Sequence, residues 1–198
     1  MCRVSGRWIN PKREKLYTLE GVNFDTVNKT KAILDPNQDY KMLKRLCKLH
    51  LRFGLMWLMG IVTGLRISDL LRLRPQNIKQ ITWVREGKTG RIRGLFIPDD
   101  VLQAVDFCVT ECNISQSEYL FFSSATRRYK PISRQWAHRI IAREAQILDL
   151  KHIGAHSMRK IYACNLYRST GKIEAVQTAL GHKDISTTFF YIRDVFEK

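Results

Sequence analysis

Apolar residues recur along this chain at two different periods, and the changes of period divide it into elements. After Asp35-Pro36, the residues Tyr40, Leu43, Leu46, Cys47 and Leu49 return at helical spacing. Aspartate caps helices and proline fits their first position, so a helix starts there. A second helix covers roughly 51–63 and carries the uncharged run from Phe53 to Leu65, bounded by Arg52 and Arg66. A membrane span needs about 20 residues, so this shorter run reads as a buried helix. Gly64 supplies the permissive backbone of its end. A third short helix, 67–73, places Leu70, Leu71 and Leu73 inward and Ser68, Asp69 and Arg72 outward, and Pro75 closes it.

From Asn77 to Pro98 the period shortens. Ile78, Ile81 and Trp83, then Leu95, Phe96 and Ile97, are strand-forming residues separated by Gly87, Gly90 and Gly94. They predict a small antiparallel sheet with Lys88-Thr89-Gly90 at or beside a turn. Helices resume over about 98–112 and 133–148, the second with Trp136, Ile140, Ala145 and Ile147 or Leu148 on one face, and Arg127, Arg128, Tyr129 and Lys130 form a basic loop between them. A helix over about 157–167 stops at Ser169-Thr170-Gly171. Another, with Ile173, Val176 and Leu180 on one side, stops at Gly181, and a last one, capped by Asp184 or Ser186, carries Tyr191. Residues 1–34, broken by Gly6, Pro11 and Gly21, lack a sustained period and read as a basic arm with one short strand around 15–19. The expected architecture is that arm followed by one α+β domain over 35–198, mostly α-helical with a small antiparallel sheet.

Composition narrows the class of partner. Of 198 residues, 34 are Lys or Arg and 18 are Asp or Glu, a formal charge of +16, while 44% are hydrophobic. That apolar fraction supports a folded core, and the charge points to a polyanion, nucleic acid rather than a membrane. No apolar leader follows Met1, and Cys2, Cys47, Cys108, Cys112 and Cys164 form no C-x-x-C pair. An odd cysteine count fits neither a disulfide framework nor a zinc knuckle, so a reducing, cytoplasmic compartment is expected.

Three fragments carry the candidate chemistry: Thr63-Gly64-Leu65-Arg66-Ile67-Ser68-Asp69-Leu70-Leu71, then His156-Ser157-Met158-Arg159, then Leu180-Gly181-His182 with Tyr191 nine residues on. Singly, each has an ordinary explanation: an arginine at a helix start is often solvated, a lone histidine is often structural, and Tyr191 beside Phe189-Phe190 could simply pack. In this order, with Lys88-Thr89-Gly90 between the first two, they resemble the catalytic domain of the tyrosine recombinases, the phage-integrase family. The resemblance runs from about Asp35 to Phe196.

That resemblance implies cleavage and rejoining of double-stranded DNA through a 3′-phosphotyrosyl intermediate, with four protomers acting on two duplexes. Whether the outcome is integration, excision, inversion or resolution stays open. Attack on a phosphodiester adds negative charge to its non-bridging oxygens, and without metal that charge must meet fixed donors. Arginine's planar, permanently charged fork suits the task, and by matching the family motif Arg66 and Arg159 take these positions. Asp69, one turn beyond Arg66, is placed to orient that arginine. His156 resembles the family's general base, His182 its second histidine and phosphate donor, Lys88 its general acid, and Tyr191 its nucleophile. Arg85, Arg91 and Arg93 lie near Lys88, but an arginine's high pKa makes it a poor acid. Arg127, Arg128, Lys130 and Arg134 are candidate DNA contacts.

No Walker loop and no Asp/Glu cluster appears, so no metal or organic cofactor is expected. A type IB topoisomerase-like relaxase shares this chemistry. A DNA-binding accessory factor that activates a partner recombinase is the rival from outside enzymes, and it would need neither Tyr191 nor His156. Only 34 residues stand where many family members carry a core-binding domain, and seven follow Tyr191. Weak clamping is therefore expected, with self-association into a tetramer on DNA or help from a partner recombinase.

Overall fold

The computed structural model describes residues 32, 35–126 and 128–196. The strand expected around 15–19 and Arg127 lie outside them. Helix α1 (Pro36–Leu49) begins as its sequence directs: the Asp35 carboxylate accepts the Asn37 N–H at 2.9 Å and Pro36 occupies the first turn. It buries Met42, Leu43, Leu46 and Cys47. Helix α2 (Leu51–Thr63) is apolar on nearly every side and forms the centre of the core, with Leu55, Met56, Trp57, Leu58 and Met59 enclosed. It packs on α1 and on α6 (Ala155–Thr170). Gly60 lets α6 come close, because a Cβ there would strike the Met158 side chain.

The remaining elements arrange themselves around α2. Helix α3 (Ile67–Leu70) is one turn long and ends in a turn rather than continuing to residue 73. Strands β1 (Ile81–Arg85) and β2 (Ile92–Phe96) form an antiparallel pair with Ile81 opposite Phe96 and Trp83 opposite Gly94. Their inner face carries Thr82, Arg93 and Leu95, while Ile81, Trp83, Ile92 and Phe96 face outward. Helices α4 (Asp99–Glu111) and α5 (Arg134–Ile147) follow, then α6, α7 (Ile173–Leu180) and α8 (Ile185–Ile192). Val176, Leu180, Ile192 and Ala163 form a second small core that fastens α7 and α8 to α6.

Two expected faces are corrected. In α5 the buried stripe is Ala137, Ile140, Ile141 and Ala145, whereas Trp136 and Ile147 are exposed. The stripe also includes Glu144, whose carboxylate accepts from Arg45 of α1 at 2.8 Å, so an ion pair links these helices. Asp69, expected outward, is buried.

Asp39 lies on the buried side of α1, where the Trp57 indole N–H donates to its carboxylate at 2.6 Å. Burial pushes this carboxyl up to about 7 from its ordinary 3.8, with the Trp57 hydrogen bond opposing the rise. Between those values the folded state holds a proton that the unfolded state has released, so stability falls as pH rises. The melting temperature should therefore decline between about pH 4 and pH 7, by an amount corresponding to on the order of 4 kcal/mol. Asp39→Asn should flatten that decline. Thermal melts of both proteins across the range check this, and an unchanged slope in the variant would assign the dependence elsewhere.

Candidate active site

The ends of helices deliver the chemical groups to one cleft. Helix α2 stops at Gly64, whose φ of +59° lies in the left-handed region that glycine tolerates. Leu65 then turns into the core, and Arg66 stands in extended conformation at the start of α3, with its side chain in the cleft. Helix α6 begins at Ala155, two residues earlier than its sequence suggests, and Ser157 Oγ accepts the Gly154 N–H at 3.1 Å. This start places His156 in the first turn and Arg159 one turn deeper. Helix α7 ends at Gly181, again left-handed, and releases His182, whose carbonyl accepts from the Gln177 side chain at 3.3 Å. Asp184 caps α8 by accepting the Ser186 N–H at 2.9 Å, and Tyr191 sits two turns along.

These groups meet. The Tyr191 hydroxyl lies 2.5 Å from His156 Nε2, and the Tyr191 ring is 5.0 Å from the His156 ring and 4.7 Å from the His182 ring. His182 is held by its other nitrogen, Nδ1, which lies 3.1 Å from the hydroxyl of buried Thr188. Arg159 is buried and donates to the carbonyls of Gly64 and Leu180, the latter at 2.6 Å, so it fastens the ends of α2 and α7 while bordering the cleft. Lys88 is exposed in the turn joining β1 to β2 and also lines the cleft. The cleft has a volume of about 1280 Å³ and is open on one side. Sites for small ligands are usually about 300–1,000 Å³ and enclosed, so this one suits a polymer backbone better.

The electrostatics define protonation states. Burial, then the charges of Arg159, Lys160 and Arg66, pushes His156 well below its ordinary value. His156 is nonetheless exposed as a residue, which softens the shift without changing its direction. Burial and the same arginines lower His182 to about 4. Both rings are neutral near pH 7. Burial raises the Tyr191 phenol, and the charges of Arg159 and Arg66 only partly offset that. The cationic pocket alone does not create a phenolate here. A neutral His156 in hydrogen-bond contact is the acceptor the phenol needs.

The carboxylate that orients Arg66 is not the expected one. Asp69 does not hold Arg66; its Oδ1 accepts the Gly87 N–H at 3.0 Å and so clamps the Lys88 turn to α3. Arg66 is held by Glu86, whose Oε2 lies 2.5 Å from the Arg66 guanidinium. Burial raises the Glu86 carboxyl, but hydrogen bonds from Arg66 and Thr89 outweigh it and hold the group ionised. Glu86 escaped notice in the sequence, although it is the sole acidic residue between Asp69 and Asp99, set among Arg85, Lys88, Arg91 and Arg93. Thr188 was likewise visible only as part of a Thr-Thr pair.

Of the expected DNA contacts, Arg134 is exposed and lines the cleft with Gln135, His138 and Arg139 of the same helix face. Lys130 is exposed but does not line it. Arg128 is engaged within the fold. Its guanidinium donates to the carbonyls of Asn113 and Cys112, pairs with Glu118 at 3.4 Å and lies 4.4 Å from the Phe122 ring centre. It braces its loop against the end of α4. Arg93 is similarly committed, buried and donating to the Thr63 carbonyl.

Among the described residues no group of three or more His, Cys, Asp or Glu is arranged to hold a metal ion, and no helix is long and apolar enough to cross a membrane. The chain is 36% identical over 139 residues to YoeC, a probable integrase/recombinase of Bacillus subtilis, covering 69% of this chain and 75% of that one. It is 29% identical over 156 residues to tyrosine recombinase XerA of Pyrococcus furiosus, covering 77% of this chain and 54% of that one. It thus spans about half the length of that relative. In fold it resembles solved structures of XerA recombinase, with a TM-score of 0.66, 22% identity and coverage of 82% and 60%. It also resembles lambda integrase bound to DNA, with a TM-score of 0.67, 20% identity and coverage of 87% and 63%. The sequence match to the phage integrase family model extends over residues 32–198 and takes in every element from α1 to α8, so the chain belongs to the phage integrase family.

Proposed function

We propose that this protein is a site-specific recombinase that cleaves and rejoins DNA strands through a phosphotyrosine linkage. The observation that carries this reading is the Tyr191 hydroxyl, 2.5 Å from His156 Nε2, in a cleft also lined by Arg66, Lys88, Arg159 and His182. Tyr191 attacks the scissile phosphorus and His156 receives the phenolic proton. A new O–P bond forms to Tyr191 and the bond to the 5′-oxygen breaks, leaving a 3′-phosphotyrosyl strand. Lys88 gives the departing oxygen its proton, because an alkoxide is a poor leaving group. Arg66, Arg159 and His182 meet the charge that develops on the non-bridging oxygens. Attack by a free 5′-hydroxyl reverses the step without ATP, since the linkage retains the phosphodiester energy.

Double-stranded DNA is the partner this reading requires. The face of α5 with Arg134, and the loop with Arg127 and Lys130, supply phosphate contacts. The reading extends to assembly on DNA, as a tetramer or with a partner recombinase, because strand exchange needs two cleaved duplexes. The test is incubation with duplex DNA nicked near a candidate site, so that cleavage releases a short fragment and traps the intermediate. A protein–DNA adduct that survives denaturation and disappears on protease treatment is expected. Binding without any adduct on the sites tested would instead favour the accessory-factor reading.

A further inference from the structure

Two carboxylates cross between the hairpin turn and α3. Asp69, on the element that carries Arg66, holds the turn that carries Lys88. Glu86, on the hairpin beside Lys88, holds Arg66. Glu86 is almost fully buried, behind the cleft rather than in its lining. Its Oε2 accepts from both Arg66, at 2.5 Å, and the Thr89 hydroxyl, at 2.9 Å. Its own backbone closes the turn: the Glu86 N–H donates to the Arg91 carbonyl at 2.9 Å and its carbonyl accepts from Gly90 at 2.8 Å. Arg93, also buried, adds a second cation 3.9 Å from Oε1. The carboxylate is therefore fixed by its own strand ends and in turn fixes one side of the Arg66 fork, leaving the remaining donors of that guanidinium for the cleft.

We propose that Glu86 is a positioning residue for strand cleavage, acting through Arg66. The proposal rests on the recombinase reading above. A guanidinium contributes to the transition state only if its fork is aimed before the phosphate arrives, and an exposed, unbraced arginine samples many rotamers. Side-chain ion pairs on a surface do little of this. A buried carboxylate that also accepts from Thr89, and whose own backbone closes the turn, does, because it cannot follow the arginine if the arginine swings away. Neutralising Glu86 leaves a space-filling acceptor but removes the charge that fixes the fork.

The experiment measures single-turnover cleavage of a nicked duplex, first by the unaltered protein, whose adduct validates the recombinase reading independently. Glu86→Gln should then cleave roughly 10- to 100-fold more slowly, with DNA affinity in gel shift within about twofold. Three further readouts distinguish positioning from general damage. In an Arg66→Ala background Glu86→Gln should add no further loss, whereas in a Lys88→Ala background its loss should persist. On DNA whose leaving 5′-oxygen is replaced by sulfur, which departs without a proton, Lys88→Ala should recover and Glu86→Gln should not. Glu86→Asp, which keeps the charge with a shorter reach, should fold and cleave at an intermediate rate. Cleavage by Glu86→Gln at the unaltered rate, a loss that multiplies with Arg66→Ala, or rescue by the sulfur leaving group would overturn the proposal. Failure of the unaltered protein to form an adduct would instead remove the reading on which it rests.

Discussion

Tyr191→Phe is expected to bind DNA as the unaltered protein does and to form no covalent adduct. The expected change in cleavage is the largest in the molecule, because the only atom removed is the one that attacks phosphorus in the proposed mechanism. Phenylalanine keeps the ring against those of His156 and His182, 5.0 and 4.7 Å away, so the packing of α8 survives. What is lost is the hydrogen bond to His156, an exposed residue, which costs about 1 kcal/mol. Tyr162, Tyr167 and Tyr129 offer no substitute: the first two pack beside the small core of α6 and α8, and Tyr129 is 82% exposed on its loop. Denaturing gels with nicked DNA check the outcome. An adduct of undiminished yield from Tyr191→Phe would remove Tyr191 from its assigned role.

The second large effect separates the two arginines. Arg66→Lys and Arg159→Lys both keep a positive charge, and both should lose cleavage by about 10²-fold or more, since a compact ammonium cannot reproduce a two-pronged donor. Only Arg159→Lys should also lose stability. Its two terminal nitrogens donate to the buried carbonyls of Gly64 and Leu180, and lysine can satisfy at most part of that pair. A buried acceptor left without its donor costs about 1–3 kcal/mol, enough to lower the melting temperature by several degrees. Arg66, with part of its side chain in the cleft and its fork braced by Glu86, makes no such bond to the backbone core. Single-turnover cleavage paired with thermal melts decides the matter. Equal melting temperatures for the two variants would mean that Arg159 is not the fastener described here.

Much of the frame was legible because it depends on residues close together in sequence. Asp35-Pro36 starts α1, Asp184 starts α8, and Gly64, Gly171 and Gly181 end three helices in left-handed conformation. Each signal acts within a turn or two of backbone, so no tertiary knowledge is needed to see it. The uncharged run of α2 announced a buried helix for the same reason. The motif residues were legible as a set, and they converge because they sit at the ends of elements, where a side chain can leave the core and enter a cleft.

Partner choice was not legible, because it is settled between elements far apart in sequence. Asp69 and Gly87 are 18 residues apart, Arg66 and Glu86 are 20, and Arg159 and Gly64 are 95. Nothing local to Asp69 indicates that the hairpin will cover it and offer a backbone N–H nearer than Arg66. Nor does the basic loop show that Arg128 will be spent on the carbonyls ending α4, or the helical period of α5 that Glu144 rather than Trp136 faces inward. The sequence by itself determined that helices start at Asp35-Pro36 and Asp184 and stop at Gly64, Gly171 and Gly181, which stretch is buried, and which residues match the family's motifs. The tertiary structure alone decided which carboxylate braces which cation and whether the phenol is protonated, because burial and donor geometry are properties of the packed whole.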